Sequence, residues 1–441
     1  MRILFIIFLS LFSALALSSS GFANEMTLES FQQEMSRLQN LVVSLQSTLK
    51  DLTKTVEGQN EIIHRQSVRI NALEGDKSFP AGSMSAPAGA PKLAGISQGF
   101  NPDIGLVASI EAKSTQSPED GEGNDTIALK EAELSISQYV DPFSRLDSVI
   151  AFNDNLEEQN VDIEELYYTR WGLPLGVTAQ IGKFRPKIGK ANLLHSHQLD
   201  TAGYPLVIRD FFGEEGLASS GARLQTIIPN PWDVPFEVSA EVLRGNNGAS
   251  FSGISRRPIF DTHLKTFINI SENSQLELGG TVLFGDENPA VVTFEDDALG
   301  TEIPEAGQNK YGIKVFGADA TFYWFLPESK VLKLQNEIYF QNRATHTRFD
   351  NQNPWGLYAL LDFRFSKRWS VGLRYDHLQP LSIVGGSTEG VSPYLTFWQS
   401  EFADFRLQYS YTKPADDGTE PNHEVFLKAN VLIGAHKHPV Q

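Results

Sequence analysis

From residue 100 onward, apolar and polar positions alternate in short runs separated by turn-forming residues. Over residues 355–365, Leu357, Ala359, Leu361, Phe363 and Phe365 share one face, and Tyr358, Leu360, Asp362 and Arg364 share the other. Val371, Leu373 and Tyr375 alternate with Arg374 and Asp376, and Phe405, Leu407, Tyr409 and Tyr411 alternate with Arg406, Gln408 and Ser410. The last such run sets Val425, Leu427, Ala429, Val431 and Ile433 against Phe426, Lys428 and Asn430. A period of two is the mark of a β-strand, whose successive side chains point to opposite faces. The pattern predicts sixteen strands between Ile104 and Gly434.

The connections between these strands alternate short and long. Short ones fall at 140–143, 172–174, 229–233, 271–274, 326–329, 366–368 and 400–403, and are rich in turn formers such as Pro142, Pro174, Pro231 and Pro327. Long ones fall at 114–124, 153–160, 185–217, 245–258 and 285–308, with shorter polar loops around Asp350, Gly385 and Asp416. Tight turns at one end and long loops at the other, with apolar-out and polar-in faces, predict a closed transmembrane barrel. In a bilayer only closure satisfies every strand's backbone groups. The expected fold class is all-β: a 16-stranded antiparallel transmembrane β-barrel over residues 100–441, preceded by an α-helical coiled coil.

The first hundred residues have other patterns. Residues 1–23 read as a signal peptide, with Arg2, the apolar stretch Ile3 to Leu17 and the small-residue site Gly21-Phe22-Ala23. Residues 24–75 carry an a/d heptad: Leu28, Met35, Val42, Leu49, Val56, Ile63 and Ile70, with Phe31, Leu38, Leu45, Leu52, Gln59, Gln66 and Leu73 as companions. At 1.5 Å per residue this is a helix of roughly 70 Å. Polar Gln59 and Gln66 and the flanking Leu41 and Ile62 favour three strands over two. Residues 76–99, with Pro80, Pro87 and Pro91 among Ala and Gly, form a linker. A periplasmic N-terminal stalk, reaching toward peptidoglycan, is the expectation.

Composition narrows the function classes. A formal charge of -18 argues against nucleic-acid binding, and the absence of Cys excludes a disulfide framework and a lipid-attachment cysteine. Beyond the signal segment no run approaches the ~20 apolar residues of a transmembrane helix. Ser196 lies between two His, but no Gly-X-Ser-X-Gly elbow surrounds it and no phosphate-binding glycine loop leads into a helix, so neither an enzyme nor a cofactor is expected.

The longest connection, 185–217, follows the fifth strand and is the third outward loop. Leu193, Leu194, Tyr204, Leu206, Val207, Ile208, Phe211 and Phe212 suit it to packing, and folded inward it narrows the lumen. Lys183, Arg185, Lys187 and Lys190 stand at its entry and Arg209 further on, a pore-constriction set that attracts anions. By alternation Glu131, Glu133, Glu237, Glu241 and Glu277 point into the lumen from earlier strands, and Lys333, Arg343, Arg364, Arg374, Arg406 and Lys428 from later ones, giving a transverse field. The alternative is that these charges are structural pairs. His195, His197 and Asp200 are the candidates for a metal, since imidazole and carboxylate are zinc ligands.

The stretch Ile181-Gly182-Lys183-Phe184-Arg185-Pro186-Lys187-Ile188-Gly189 resembles the Gly-Lys-Phe-basic-Pro signature of phosphate-selective-type outer-membrane porins. Phe100 to Gly105 and Glu241 to Gly245 are similar to a porin-like group near them, some of whose members are labelled zinc-regulated or TonB-linked receptors. The resemblance implies a homotrimer in the outer membrane of a Gram-negative bacterium, with the third loop folded inward. The terminus His436-Lys437-His438-Pro439-Val440-Gln441 departs from the usual terminal aromatic. The expected function is a porin for passive diffusion of small hydrophilic solutes with a modest anion preference. The alternatives are a zinc-associated outer-membrane receptor or transporter, or an envelope tether acting through the coiled coil.

Overall fold

The computed structural model describes residues 102–434 apart from 117–124, 156–157, 232–233, 246, 248, 252–256, 288–290, 294–302, 306–310, 345–350 and 417. The signal segment, coiled coil and linker expected over residues 1–99 lie outside the described residues, as do His436 and His438.

Strands β1 (Asp103–Gln116), β2 (Thr126–Asp141), β3 (Ser144–Asn155), β4 (Glu158–Arg170), β5 (Thr178–Phe184), β6 (Ser219–Ile228), β7 (Phe236–Leu243), β8 (Ile259–Ser271) and β9 (Ser274–Glu287) follow one another as neighbours. After the short β10 (Val291–Thr293) and β11 (Ile303–Glu305), the wall resumes with β12 (Tyr311–Leu326), β13 (Lys330–Arg343), β14 (Trp355–Ser366), β15 (Trp369–Leu378), β16 (Thr388–Ser400), β17 (Ala403–Lys413) and β18 (Asn422–Gly434). β18 pairs antiparallel with β1 from Gly105–Gly434 to Gln116–His423 and closes a barrel of sixteen strands.

The burial pattern is inverted relative to a water-soluble sandwich. On β15, outward Val371 and Leu373 are 46% and 44% exposed, whereas inward Arg374 and Asp376 are 6% and 1% exposed. Apolar side chains face outward on every side, from Leu106 and Ile110 on β1 to Val431 and Ile433 on β18. This arrangement is stable where the surroundings are hydrocarbon, because the polar face is then the one withdrawn from them. Aromatic pairs crowd the turn end, among them Trp369–Phe397 with ring centroids 4.7 Å apart and Tyr139–Trp171 at 6.0 Å. Phe340–Trp355 at 5.9 Å and Tyr411–His423 at 5.2 Å lie at the loop end. Such girdles flank the apolar band of a transmembrane barrel.

Two connections differ from expectation. The stretch 153–160 is not a long loop: β3 and β4 stay paired through Asn153–Asn160, Asp154–Gln159 and Asn155–Glu158. Polarity does not end a ladder that has left the apolar band, because backbone pairing needs no apolar face there. The stretch 285–308 is not plain loop either, since β10 and β11 pair within it as a two-stranded ribbon.

Candidate functional site

The barrel's packed core is made largely by the connection between β5 and β6. Gly182 takes a positive φ of 137°, with the β4 backbone at Leu166 and Tyr167 where a Cβ would stand. Gly189, at φ 71°, lies against Glu337 and Tyr339 of β13. Between these glycines the chain leaves the wall. Residues 185–218 then carry two single-turn 3-10 helices, Ala191–Leu193 and Ser196–Gln198, and the helix α1 (Leu206–Phe212). Ile188, Val207, Ile208, Phe211 and Phe212 are fully buried with Tyr339, Tyr358 and Leu360 of the wall. The Tyr339 hydroxyl donates to the Ile188 carbonyl at 2.8 Å.

The loop meets each side of the wall with complementary chemistry. Against the carboxylates of the early strands it offers cations: Lys183 (the last-but-one residue of β5) to Asp162 at 3.3 Å, Arg185 to Glu164 at 3.6 Å, Lys187 to Glu237, and Lys190 to Glu277 at 3.0 Å. Burial pushes the Lys187 ammonium below the usual lysine range, even beside Glu237. Against the cations of the later strands it offers acceptors. Arg374 donates to the Gly203 carbonyl at 2.6 Å, Arg406 to the Leu199 carbonyl at 2.6 Å, and Lys428 to the Ser196 carbonyl at 2.8 Å. Lys333 pairs with Asp200 at 2.5 Å. Burial alone would raise the Asp200 carboxyl; the Lys333 ammonium outweighs it and holds it below the ordinary aspartate value. Glu337 accepts from the backbone N–H of Lys190 at 3.1 Å and of Ala191 at 2.7 Å. The transverse field expected of the wall is therefore bridged by the loop. A cavity of about 180 Å³ remains beside it, lined by Thr169, Thr178, Gln180, Lys187, Arg223 and Gln225.

A second group lies where the loop crosses β2 and β4. The His195 and His197 rings stack at 5.9 Å. Glu133 Oε1 lies 2.9 Å from His197 Nδ1 and 3.5 Å from His195 Nδ1, and Glu164 Oε2 lies 2.6 Å from His195 Nδ1. Glu165 approaches His195 Nε2 at 3.4 Å, and the Ser196 hydroxyl donates to Glu131. Burial alone would depress His195; Glu133 and the contacts with Glu164 and Glu165 outweigh it and raise it to about 10.

The expected residues are thus distributed unevenly. Arg185 and Lys190 are buried in ion pairs, Lys187 is half-buried, and Lys183 is on the exposed edge of the set. Arg209 stands apart: it is on the exposed face of α1 and pairs with Glu214 at 2.6 Å. Arg343, Arg374, Arg406 and Lys428 are buried on the lumen side, with Arg343 on Glu287 at 2.8 Å. Glu241 is likewise buried and binds Arg223. Arg364 is exposed at the turn end, 4.3 Å over the Trp398 ring. Asp200 does not join the histidines, because Lys333 holds it on the opposite wall.

Alternation alone missed Glu164 and Glu165, adjacent residues that both reach the lumen. The reason is a β-bulge: Val149 pairs with Glu165 and Ile150 with Ile163, leaving Glu164 as the extra residue. The same device acts on β2, where Ser109 pairs with Glu131 and Ile110 with Leu129, so Lys130 is the inserted residue and reaches the Ala202 carbonyl at 3.3 Å.

No family model matches the chain. Among solved structures, OprB of Pseudomonas putida superposes with a TM-score of 0.52 at 11% identity, covering 77% of this chain and 95% of that one. An anion-selective porin from Comamonas acidovorans gives a TM-score of 0.49 at 10% identity over 76% and 100% of the two chains. The likeness to OprB is one of fold, a porin-type barrel. An uncharacterized protein of Aquifex aeolicus (strain VF5) is 30% identical over 343 residues, covering 70% of this chain and 69% of the relative. The sixteen-stranded barrel with its inward loop therefore belongs to a chain of the same family as that Aquifex aeolicus protein.

Proposed function

We propose that this protein is an outer-membrane porin for passive diffusion of small hydrophilic solutes, narrowed by the loop 185–218. The observation that carries the reading is the loop's position between two oppositely charged walls, inside a closed barrel whose outer face is apolar. A charged interior in a hydrocarbon-facing cylinder is of use chiefly as a path for polar solutes. The likeness of residues 181–189 to phosphate-selective-type porins and the homotrimer implied with it belong to the same proposal, as does a periplasmic stalk before the barrel.

The proposed anion preference is small. It rests on Lys183, Arg185, Lys187 and Lys190, and each of these cations has a carboxylate within reach. A paired charge contributes little net potential beyond its own partner. Planar-bilayer recording tests the proposal. Steady conductance, with a reversal potential displaced slightly toward anions under a salt gradient, is the expected result. Silent bilayers would overturn the porin reading, and a clear cation preference would overturn the charge assignment alone.

A further inference from the structure

The buried group around His195 and His197 gathers four carboxyl groups in one place. Glu131 and Glu133 come from β2, and Glu164 and Glu165 come from the bulged segment of β4. Facing these four carboxyl groups are the Arg185 guanidinium, 3.6 Å from Glu164, the His195 imidazole, 2.6 Å from Glu164, and the Lys428 ammonium, which is already committed to the Ser196 carbonyl. Glu133 is 1% exposed, and its Oε2 is buried without a hydrogen-bond partner. A carboxyl oxygen removed from water and left unpaired is costly.

The donor atoms converge. The ring nitrogens of His195 and His197 with carboxylate oxygens of Glu131, Glu133 and Glu164 form two overlapping triads, each with its atoms within 4.8 Å of one another. Both Nδ1 atoms point at the same oxygen of Glu133. At metal–ligand lengths near 2.0–2.2 Å, tetrahedral ligand atoms are about 3.4 Å apart, so the triad of Glu133, Glu164 and His195, with Nδ1 at 3.5 and 2.6 Å from the two carboxylates, needs only small shifts. Outside the triad, Glu165 meets His195 Nε2 at 3.4 Å, the position of a carboxylate that orients a ligating imidazole through its second nitrogen. The local fold suits this geometry. Gln198 and His195 bond to each other across the 3-10 turn, through Gln198 N–H to the His195 carbonyl and His195 N–H to the Gln198 side chain. On β3, Ala151 is fully buried beside Glu133 and leaves the space clear.

We infer that His195, Glu133 and Glu164 form a binding site for one divalent transition-metal cation of the zinc class, with His197 held beside it on the same Glu133 oxygen, and that this cation fastens the lumen loop to β2 and β4. Mixed imidazole and carboxylate donors select such a cation over calcium or magnesium, which take oxygen ligands. The cation would take the place of the proton that His195 otherwise holds among these carboxyl groups, and its loss would loosen the loop from the acidic wall while leaving the Lys333–Asp200 tie on the opposite side.

The test uses the purified full-length protein in detergent, stripped with a chelator and titrated with Zn²⁺, with bound metal counted by mass spectrometry. About one equivalent per chain is expected, and Glu165→Gln should weaken binding by about 10–100-fold. Co²⁺ in place of Zn²⁺ should give a visible d–d spectrum of nitrogen and oxygen ligands. The double variant His195→Ala/His197→Ala should bind no tight equivalent, whereas His436→Ala/His438→Ala should bind as the parent does. Absence of a stoichiometric ion in the parent protein overturns the site outright, whether or not the double variant folds. So does binding that survives in a folded double variant, or binding lost with His436 and His438.

Discussion

At the scale of single residues, the segment Ile181 to Gly189 joins several jobs in a few positions. Gly182 and Gly189 let the chain leave the wall, Ile188 enters the core, and Lys183, Arg185 and Lys187 reach three different carboxylates. These cations are not equivalent. Lys183 and Asp162 are 31% and 64% exposed, and Arg185 and Glu164 are 4% and 6% exposed. Lys183→Ala should therefore cost less than about 1 kcal/mol, as solvent-exposed pairs do. Arg185→Ala leaves buried carboxylates uncompensated and should cost about 3–5 kcal/mol. Denaturant midpoints in detergent measure both, and equal shifts would contradict the assignment. Gly189→Ala combines a left-handed backbone with a collision at Glu337 and Tyr339, and should cost about 1–3 kcal/mol; an unchanged midpoint would mean that the loop takes another path. A combined neutralisation of Lys183, Arg185, Lys187 and Lys190 is accordingly a poor probe of selectivity, because two of the four support the fold. Lys183→Gln, on the exposed edge, is the cleaner one.

At the scale of elements, strand identity was legible because the alternation is strict where a strand crosses the apolar band. Leu357, Leu361 and Phe363 against Tyr358, Leu360 and Asp362 admit one reading of β14, and the burial agrees with it. Turns were legible for a similar reason, since Pro142, Pro174 and Pro327 mark them by chemistry. Two things were not legible. Bulges at Lys130 and Glu164 shift the phase of β2 and β4 by one residue, and a period-two reading carries no information about an inserted residue. Nor does polarity mark where β3 and β4 end, so their hairpin extends through Asn153 to Asn160. The loop's inward course was expected from its apolar content, but its partners depend on which strands lie opposite, which local sequence does not specify. Those partners give a prediction at this scale. Arg374→Ala and Arg406→Ala together remove the donors to the Leu199, Thr201 and Gly203 carbonyls. Conductance should rise and become noisier, and protease should cut near residues 199–204. A pore of unaltered conductance would show that these contacts do not hold the constriction.

At the scale of the whole molecule, the short connections gather at one end of the barrel, and the start of β1 and the end of β18 lie with them. Tags inserted near Asp120 and Asn246 should be reachable on intact cells, and one near Pro142 should not; the reverse pattern would invert the orientation. The loop's contacts also bear on the order in which the molecule can be made. Residues 195–197 come less than halfway along the chain, yet the Ser196 carbonyl is bound by Lys428 and the His197 carbonyl by Asn430, both on the final strand. The interior therefore cannot be completed until the last hairpin arrives, and the seam between β1 and β18 closes over a loop already enclosed. Any chain released before β18 would present two open edges and an interior lacking its final donors, which makes the finished seam the natural checkpoint between a nascent barrel and one fit to be left in the membrane.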